Sequence, residues 1–318
     1  MPKFIITVRS ISGGQFGGSL GAVRYLVVPD GVDTPLPAHA VSPRLWIAQV
    51  IGSFPKTASV LAPHHLVGII HGFNSDAESV AKLHASIASG LAKANFSPTF
   101  VSFDWPSAGQ VYAYMEDVDV AKRIAIDFVN YAVKPLLNAQ TPDCKVVVHA
   151  LCHSLGAFVL REALDHADDG LHTDSDWMLG QLVMVAGDVD AADFVAGNKD
   201  TESMLAHAYR LTNYFNRYDE VLAISRAKNG GVDERAGRVG LPANAPASTV
   251  NLDCSQRFSE IPDPGGLDPI ARAEFSHSWY FQDDKFYADL TETLRGAVDR
   301  AVVAGRSKGD GATMNLEA

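Results

Sequence analysis

Short, continuously apolar runs alternate along this chain with longer amphipathic stretches. "HLVGII" (65–70), "PTFVSFDWP" (98–106), "KVVVHAL" (145–151), "GQLVMVAG" (180–187) and "AHAYRLTNYFN" (206–216) have strand character. Between and after them, "ESVAKLHASIASGLAKA" (78–94), "EDVDVAKRIAIDFVNYAVKPLL" (116–137), "GAFVLREALDHA" (156–167) and "DDKFYADLTETLRGAVDRAVVAG" (283–305) have helical spacing. Strands that are apolar on both faces and alternate with helices predict a parallel sheet covered on both sides, a doubly wound α/β fold. Upstream, "FIITVRS" and "AVRYLVVP" flank the glycine-rich "SGGQFGGSLG", which predicts a strand pair joined by a loop. The stretch 225–274 is rich in Gly, Pro, Asn and Asp and reads as an irregular excursion or cap over the carboxyl edge of the sheet. The domain expectation is therefore one unit over 1–306, followed by a flexible tail at 307–318.

Composition narrows the function classes. The 318 residues carry a net charge of −11, with no basic stripe that would suit nucleic acid or an anionic membrane. Three cysteines, Cys144, Cys152 and Cys254, are too few and too scattered for a disulfide framework or a zinc site. The opening "MPKFIITVRS" lacks the long apolar core of a secretory signal, and no apolar run is long enough to span a bilayer. A cytoplasmic protein is the expectation, with no metal and no cofactor.

The chemistry concentrates where a strand gives way to a helix, in "CKVVVHALCHSLGAFVLREAL" (144–164). Ligands of open α/β sheets bind at the carboxyl ends of strands, and Ser154 stands at such an end. A tight turn there would raise its hydroxyl above the sheet as a nucleophile. Gly156 supplies one of the two small flanking residues of the G-x-S-x-G frame, and Cys152 replaces the other. The plainer alternative is that Ser154 caps the following helix. His153 adjoins the serine but points to the opposite face, which makes it a poor base.

A nucleophilic serine needs a base, an orienting acid and an oxyanion hole. His277, in "FSHSWYF", falls in a loop just before the final helix, the position expected of the base, after His166, His172 and His207 are set aside. Two acids compete: Asp219, in "LTNYFNRYDEV", and Asp188, in "VAGDVD". Both follow strands on the correct edge, and chain topology favours Asp219. One oxyanion N–H is expected from Leu155, directly after the serine. The other is expected from Phe73, in the "HGFN" loop (71–74) where Gly72 lets the backbone approach.

Together "IIHGFNSD", "FVSFDWPSAGQVYAYMEDVDVAK", "VVVHALCHSLGAFVLREAL", "MVAGDVDAADF" and "NRYDEVLAIS" resemble an uncharacterised branch of the α/β-hydrolases, esterase- and lipase-like, over about residues 64–225. The resemblance implies an α/β-hydrolase fold and a triad of Ser154, Asp219 and His277, with Phe73 and Leu155 as the oxyanion hole. It places Trp105 and Pro106 at the pocket edge. His71, Gly72 and His153 complete the expected substrate contacts, and Tyr112, Tyr114 and Met115 are candidates either for a pocket wall or for core packing. Cys152 departs from the small residue usual there, and Leu155 from the usual methionine.

The expected activity is hydrolysis of small-to-medium acyl esters through an acyl-enzyme, with a small-molecule ester as the partner. Amide, thioester or acyl-transfer chemistry on the same triad is the alternative, as is a non-catalytic binding protein on a hydrolase scaffold. "GGQFGGSLG" lacks the G-K-[ST] ending of a phosphate loop and precedes a strand. The adjacent His64 and His65 have poor geometry for one metal.

Overall fold

A computed structural model describes residues 1–55, 63–107, 124, 131–132, 146–168, 178–228, 233–296 and 303–317. The predicted helix over 116–137 lies almost entirely outside these residues, and so do Tyr112, Tyr114 and Met115. The described strands are β1 (Lys3–Ser12), β2 (Gln15–Val28), β3 (Ala40–Val41), β4 (His64–Ile70), β5 (Thr99–Asp104), β6 (Val146–His153), β7 (Leu182–Val185), β8 (Leu211–Phe215), β9 (Thr249–Asp253), β10 (Arg306–Lys308) and β11 (Thr313–Leu316). They form one sheet in the order β10-β11-β9-β8-β7-β6-β4-β5-β1-β2-β3. Every pairing from β11 to β1 is parallel, while β10, β2 and β3 pair antiparallel with their neighbours at the two margins.

The apolar strand runs are explained by two cores. On β6, Ala150 and Cys152 enter the core on one face and Leu151 enters the other, as the two-residue period requires. The first core is covered by α1 (Pro43–Gly52) and α3 (Gly156–Asp168); the second by α2 (Ala77–Lys93) and by the last described helix. Between these come α4 (Lys199–Ala206), α5 (Glu220–Lys228), α6 (Ala236–Val239), α7 (Ser255–Glu260), α8 (Pro269–Ser278) and, closing the second core, α9 (Asp284–Arg295). On α9, Phe286, Tyr287, Leu290 and Leu294 form one buried face. A Cβ at Gly90 of α2 would lie 2.2 Å from the Tyr287 ring, so glycine lets the two helices close. No helix among the described residues is long and apolar enough to cross a membrane.

Three expectations need correction. The glycine-rich segment is mostly strand: β1 and β2 join through a two-residue turn, Gly13–Gly14, with φ of 59° and 78°. That pair of positive angles suits the twist of a hairpin and is open to glycine. The excursion 225–274 contains a sheet strand, β9, whose short polar sequence hides its burial. The tail is not frayed. Arg306 on β10 reaches the buried Asp289 of α9 at 2.5 and 2.7 Å, and β11 pairs with β9. A paired, buried arginine holds what composition alone marks as flexible.

Candidate active site

The carboxyl edge of β4, β5, β6 and β8 gathers the expected site residues. Ser154 follows β6 with φ of 56°, a left-handed conformation that is uncommon for a residue with a side chain and clusters at functional sites. It is fixed on both sides. Its N–H donates to the Val185 carbonyl at 3.1 Å, and its own carbonyl accepts from Ala157 and Asp188, each at 3.0 Å. Gly156 opens α3 directly beneath the preceding loop. A Cβ there would lie 2.4 Å from the Ile70 carbonyl oxygen and 2.7 Å from that of His71, so glycine is required.

Cys152 explains its own departure from the motif. Its side chain is buried in the core, in register with Ile70 and Met184, and its thiol donates to the Val183 carbonyl at 3.3 Å. A Cβ therefore enters the core and does not meet the elbow. Burial raises the thiol's pKa well above its ordinary value, which leaves it poor as a nucleophile.

The loop His71–Asn74 lies against the serine. A Cβ on Gly72 would sit 2.6 Å from Ser154 Cβ and 3.1 Å from Ser154 Oγ. The His71 ring is buried and committed internally: Nδ1–H donates to the Gly72 carbonyl at 2.8 Å, and Nε2 accepts from Trp105 N–H at 3.1 Å. Trp105 returns its indole N–H to the His71 carbonyl at 3.1 Å and stacks on the ring. Trp105 is fully buried and Pro106 is buried too, so neither presents a face to a substrate here. His71 and Trp105 support the loop, which corrects their assignment as substrate contacts. Phe73 is half-buried and Leu155 fully buried.

His277 is not in a loop as expected but in the last turn of α8, whose start is capped by Asp268 and Pro269. Its Nδ1–H donates to Asp219 Oδ2 at 2.7 Å, and Asp219 Oδ1 accepts from Leu222 N–H at 2.9 Å. Asp219 is completely buried. Burial alone would lower the His277 pKa, but the charge and hydrogen bond of Asp219 carry it above the ordinary value. The ring of His277 lies 4.6 Å from that of His153, the residue before Ser154. The side chain of His277 bonds Asp219, and among the described residues no hydrogen bond joins it to Ser154 Oγ. Such bonds are often long until substrate binds. His153 is held neutral, by burial first and then by the neighbouring His277.

The competing acid is placed elsewhere. Asp188 accepts from Ser225 Oγ at 2.8 and 3.1 Å and lies 3.3 Å from Arg235 Nε. It is buried with Arg235, and after Asp219 its charge also helps to raise the His277 pKa.

Sequence reasoning missed the residues that hold these groups in place. Asn216 Nδ2 donates to the Ser276 carbonyl at 3.0 Å, and Ser276 Oγ accepts from Glu220 N–H at 3.0 Å, so the acid's loop is clamped to the histidine's helix. Thr7 and Arg9 of β1 both bond Asp104 at the end of β5. The polar residues just after β8, "NRYD", were the available signal for the first clamp; a partner 95 positions away left none for the second. Among the described residues no three His, Cys, Asp or Glu side chains gather as metal ligands.

No curated protein matches the chain. Among solved structures it is similar to phospholipase PlaB from Legionella pneumophila, at 11% identity and a TM-score of 0.36 over 76% of this chain and 64% of that one. A second PlaB structure is matched over 40% of its length, at 11% identity and a TM-score of 0.31, so the chain spans less than two thirds of that phospholipase. A metagenomic carboxyl esterase matches at 14% identity and a TM-score of 0.34, over 92% of this chain and 87% of that one. An extracellular alpha/beta-hydrolase from a Paenibacillus species matches at 14% identity and a TM-score of 0.30, over 73% and 99%. A family model matches residues 56–255, from before β4 to the start of α7, and with that the chain belongs to the family DUF900, alpha/beta hydrolases of unknown function.

Proposed function

We propose that this chain is a serine hydrolase that cleaves carboxylic esters through an acyl-enzyme. The observation that carries the reading is the 2.7 Å bond from His277 to the buried Asp219, on the same sheet edge as a serine held at φ 56°. Asp219 fixes the tautomer in which Nδ1 is protonated, leaving Nε2 free to take a proton. In the reaction Ser154 Oγ attacks the ester carbonyl while His277 Nε2 accepts its proton. The Phe73 and Leu155 N–H groups receive the negative charge that develops on the carbonyl oxygen. His277 then donates its proton to the departing alcohol. Water, deprotonated by the same nitrogen, releases the acid and restores Ser154.

The close approach of Gly72 to Ser154 supports the oxyanion assignment, since Phe73 follows Gly72 directly in the chain. Small-to-medium acyl groups are the substrate class. The test is a series of p-nitrophenyl esters of rising chain length, with an anilide and a thioester of the same acyl group. Hydrolysis of the shorter esters that vanishes in Ser154→Ala supports the reading. Turnover of the anilide or thioester in preference to the ester would move the chain to the alternative acyl chemistry. Binding without acylation would make it a scaffold.

A further inference from the structure

We propose that Arg9 and Asp104 are positioning residues of this site, holding the His71–Asp76 loop in the conformation that aims its backbone at Ser154. The inference rests on the hydrolase reading for its catalytic consequence and on geometry for its structural half.

Two register shifts in the pairing of β1 with β2 flank Arg9, and Gly21 of β2 approaches so closely that a Cβ there would meet the Arg9 carbonyl at 2.6 Å. Irregular pairing of this kind re-aims a side chain and is common beside active sites. The Arg9 guanidinium, buried at the carboxyl edge, bonds in three directions. Nε donates to Asp104 Oδ1, and Nη2 donates to the carbonyls of Ser75 and Trp105, each at 2.6 Å. Thr7 Oγ1 donates to Asp104 Oδ2 at 2.7 Å and accepts from Arg9 N–H at 3.2 Å. Ser75 belongs to the loop itself, and Ser107 Oγ accepts its N–H at 3.0 Å. Trp105 carries the other end of the contact path: its N–H and indole bond His71, whose neighbour Gly72 lies against Ser154.

The path is contiguous from β1 to the nucleophile; its arginine satisfies the Trp105 carbonyl and shares the Ser75 carbonyl with the Ser107 hydroxyl, which donates to it at 3.3 Å. A lysine would keep a charge for Asp104 but lacks the planar fork needed to reach both carbonyls at once. The N-terminal strand thus belongs to the catalytic apparatus, although it carries no group that touches substrate.

The experiment compares Arg9→Lys with Arg306→Lys, which alters a second buried arginine far from the loop. The readouts are ester kinetics, thermal unfolding, and deuterium uptake by the peptide covering 71–76. Arg9→Lys is expected to unfold cooperatively, to lose about 100-fold in kcat with little change in KM, the scale of a lost oxyanion donor, and to exchange faster over 71–76. Arg306→Lys is expected to keep both kcat and the slow exchange of that loop. In Arg9→Ala, millimolar methylguanidinium is expected to restore part of kcat, and methylammonium is not. If wild-type protein hydrolyses esters and Arg9→Lys matches it in kcat and loop exchange, the inference is overturned while the hydrolase reading stands. If wild-type protein is inactive, the hydrolase reading fails, and unchanged uptake over 71–76 in Arg9→Lys would still refute the positioning of the loop.

Discussion

Two buried arginine–aspartate pairs fasten opposite margins of the same sheet. Arg9 and Asp104 join β1 to β5 at 2.6 Å, and Arg306 and Asp289 join β10 to α9 at 2.5 and 2.7 Å. Both bury a full charge pair, and both have hydroxyl partners: Thr7 in the first, Tyr214 and Thr293 in the second. They differ in what else the guanidinium holds. Arg9 donates to two carbonyls on the edge where Ser154 stands, whereas the remaining donor contact of Arg306 is a threonine hydroxyl on α9. The same chemistry can thus join two elements in one place and hold the backbone of a loop in another.

The comparison can be pressed from the reacting group outward. The largest effect is expected at the triad acid. Asp219→Asn should lower kcat by about 10⁴, because an amide no longer holds His277 in the productive tautomer. Asp188→Asn should leave turnover of the folded protein within a few-fold of wild type, and steady-state kinetics separate the two. Next comes Asp289→Ala, which leaves Arg306 buried without its partner. It should cost about 3–5 kcal/mol in unfolding free energy without changing kcat, as denaturant titration and kinetics on the folded fraction would show.

A smaller effect lies in the pH profile. His277 must be neutral to act, and Asp219 raises its pKa above the ordinary 6.5 despite burial. The rising limb of kcat/KM against pH should therefore have its midpoint above 6.5 in the wild type. A raised folded-state pKa means that His277 contributes stability fully below its unfolded value, and that this contribution is lost as pH rises through the folded value. The protein gains activity as it gives up that contribution, so stability and rate should move in opposite directions across the same interval. The smallest effect is expected at Cys152→Gly. Filling the motif's usual residue should leave kcat unchanged and cost about 1–2 kcal/mol through the void left in the core.

The alternation of apolar runs and helices was legible because parallel strands buried on both faces leave an unbroken signal, as in β4 to β8. The pairing of His277 with Asp219 was legible because local motifs mark strand ends. What the chain hid was of two kinds. Strand β9, "TVNLD", and the tail strands are short and polar, and their burial depends on partners such as Asp289 and Tyr214 that periodicity does not reveal. The supports of the site, Arg9 with Asp104 and Asn216 with Ser276, are ordinary polar residues until the fold brings them together across 95 and 60 positions. The motif marks His71 and Trp105 as substrate contacts; in the fold they bond each other, the Gly72 carbonyl and Arg9. His277 was assigned to a loop because "SHSWYF" shows no helical period, yet Asp268 and Pro269 start a helix that runs through it.

The most direct measurement is to label the folded protein with a fluorophosphonate and map the modified residue by mass spectrometry. The account predicts a single label on Ser154, lost in His277→Ala and slowed in Asp219→Asn. An unlabelled Ser154 in folded protein, or labelling that persists without His277, would contradict the claim that this elbow carries an activated serine.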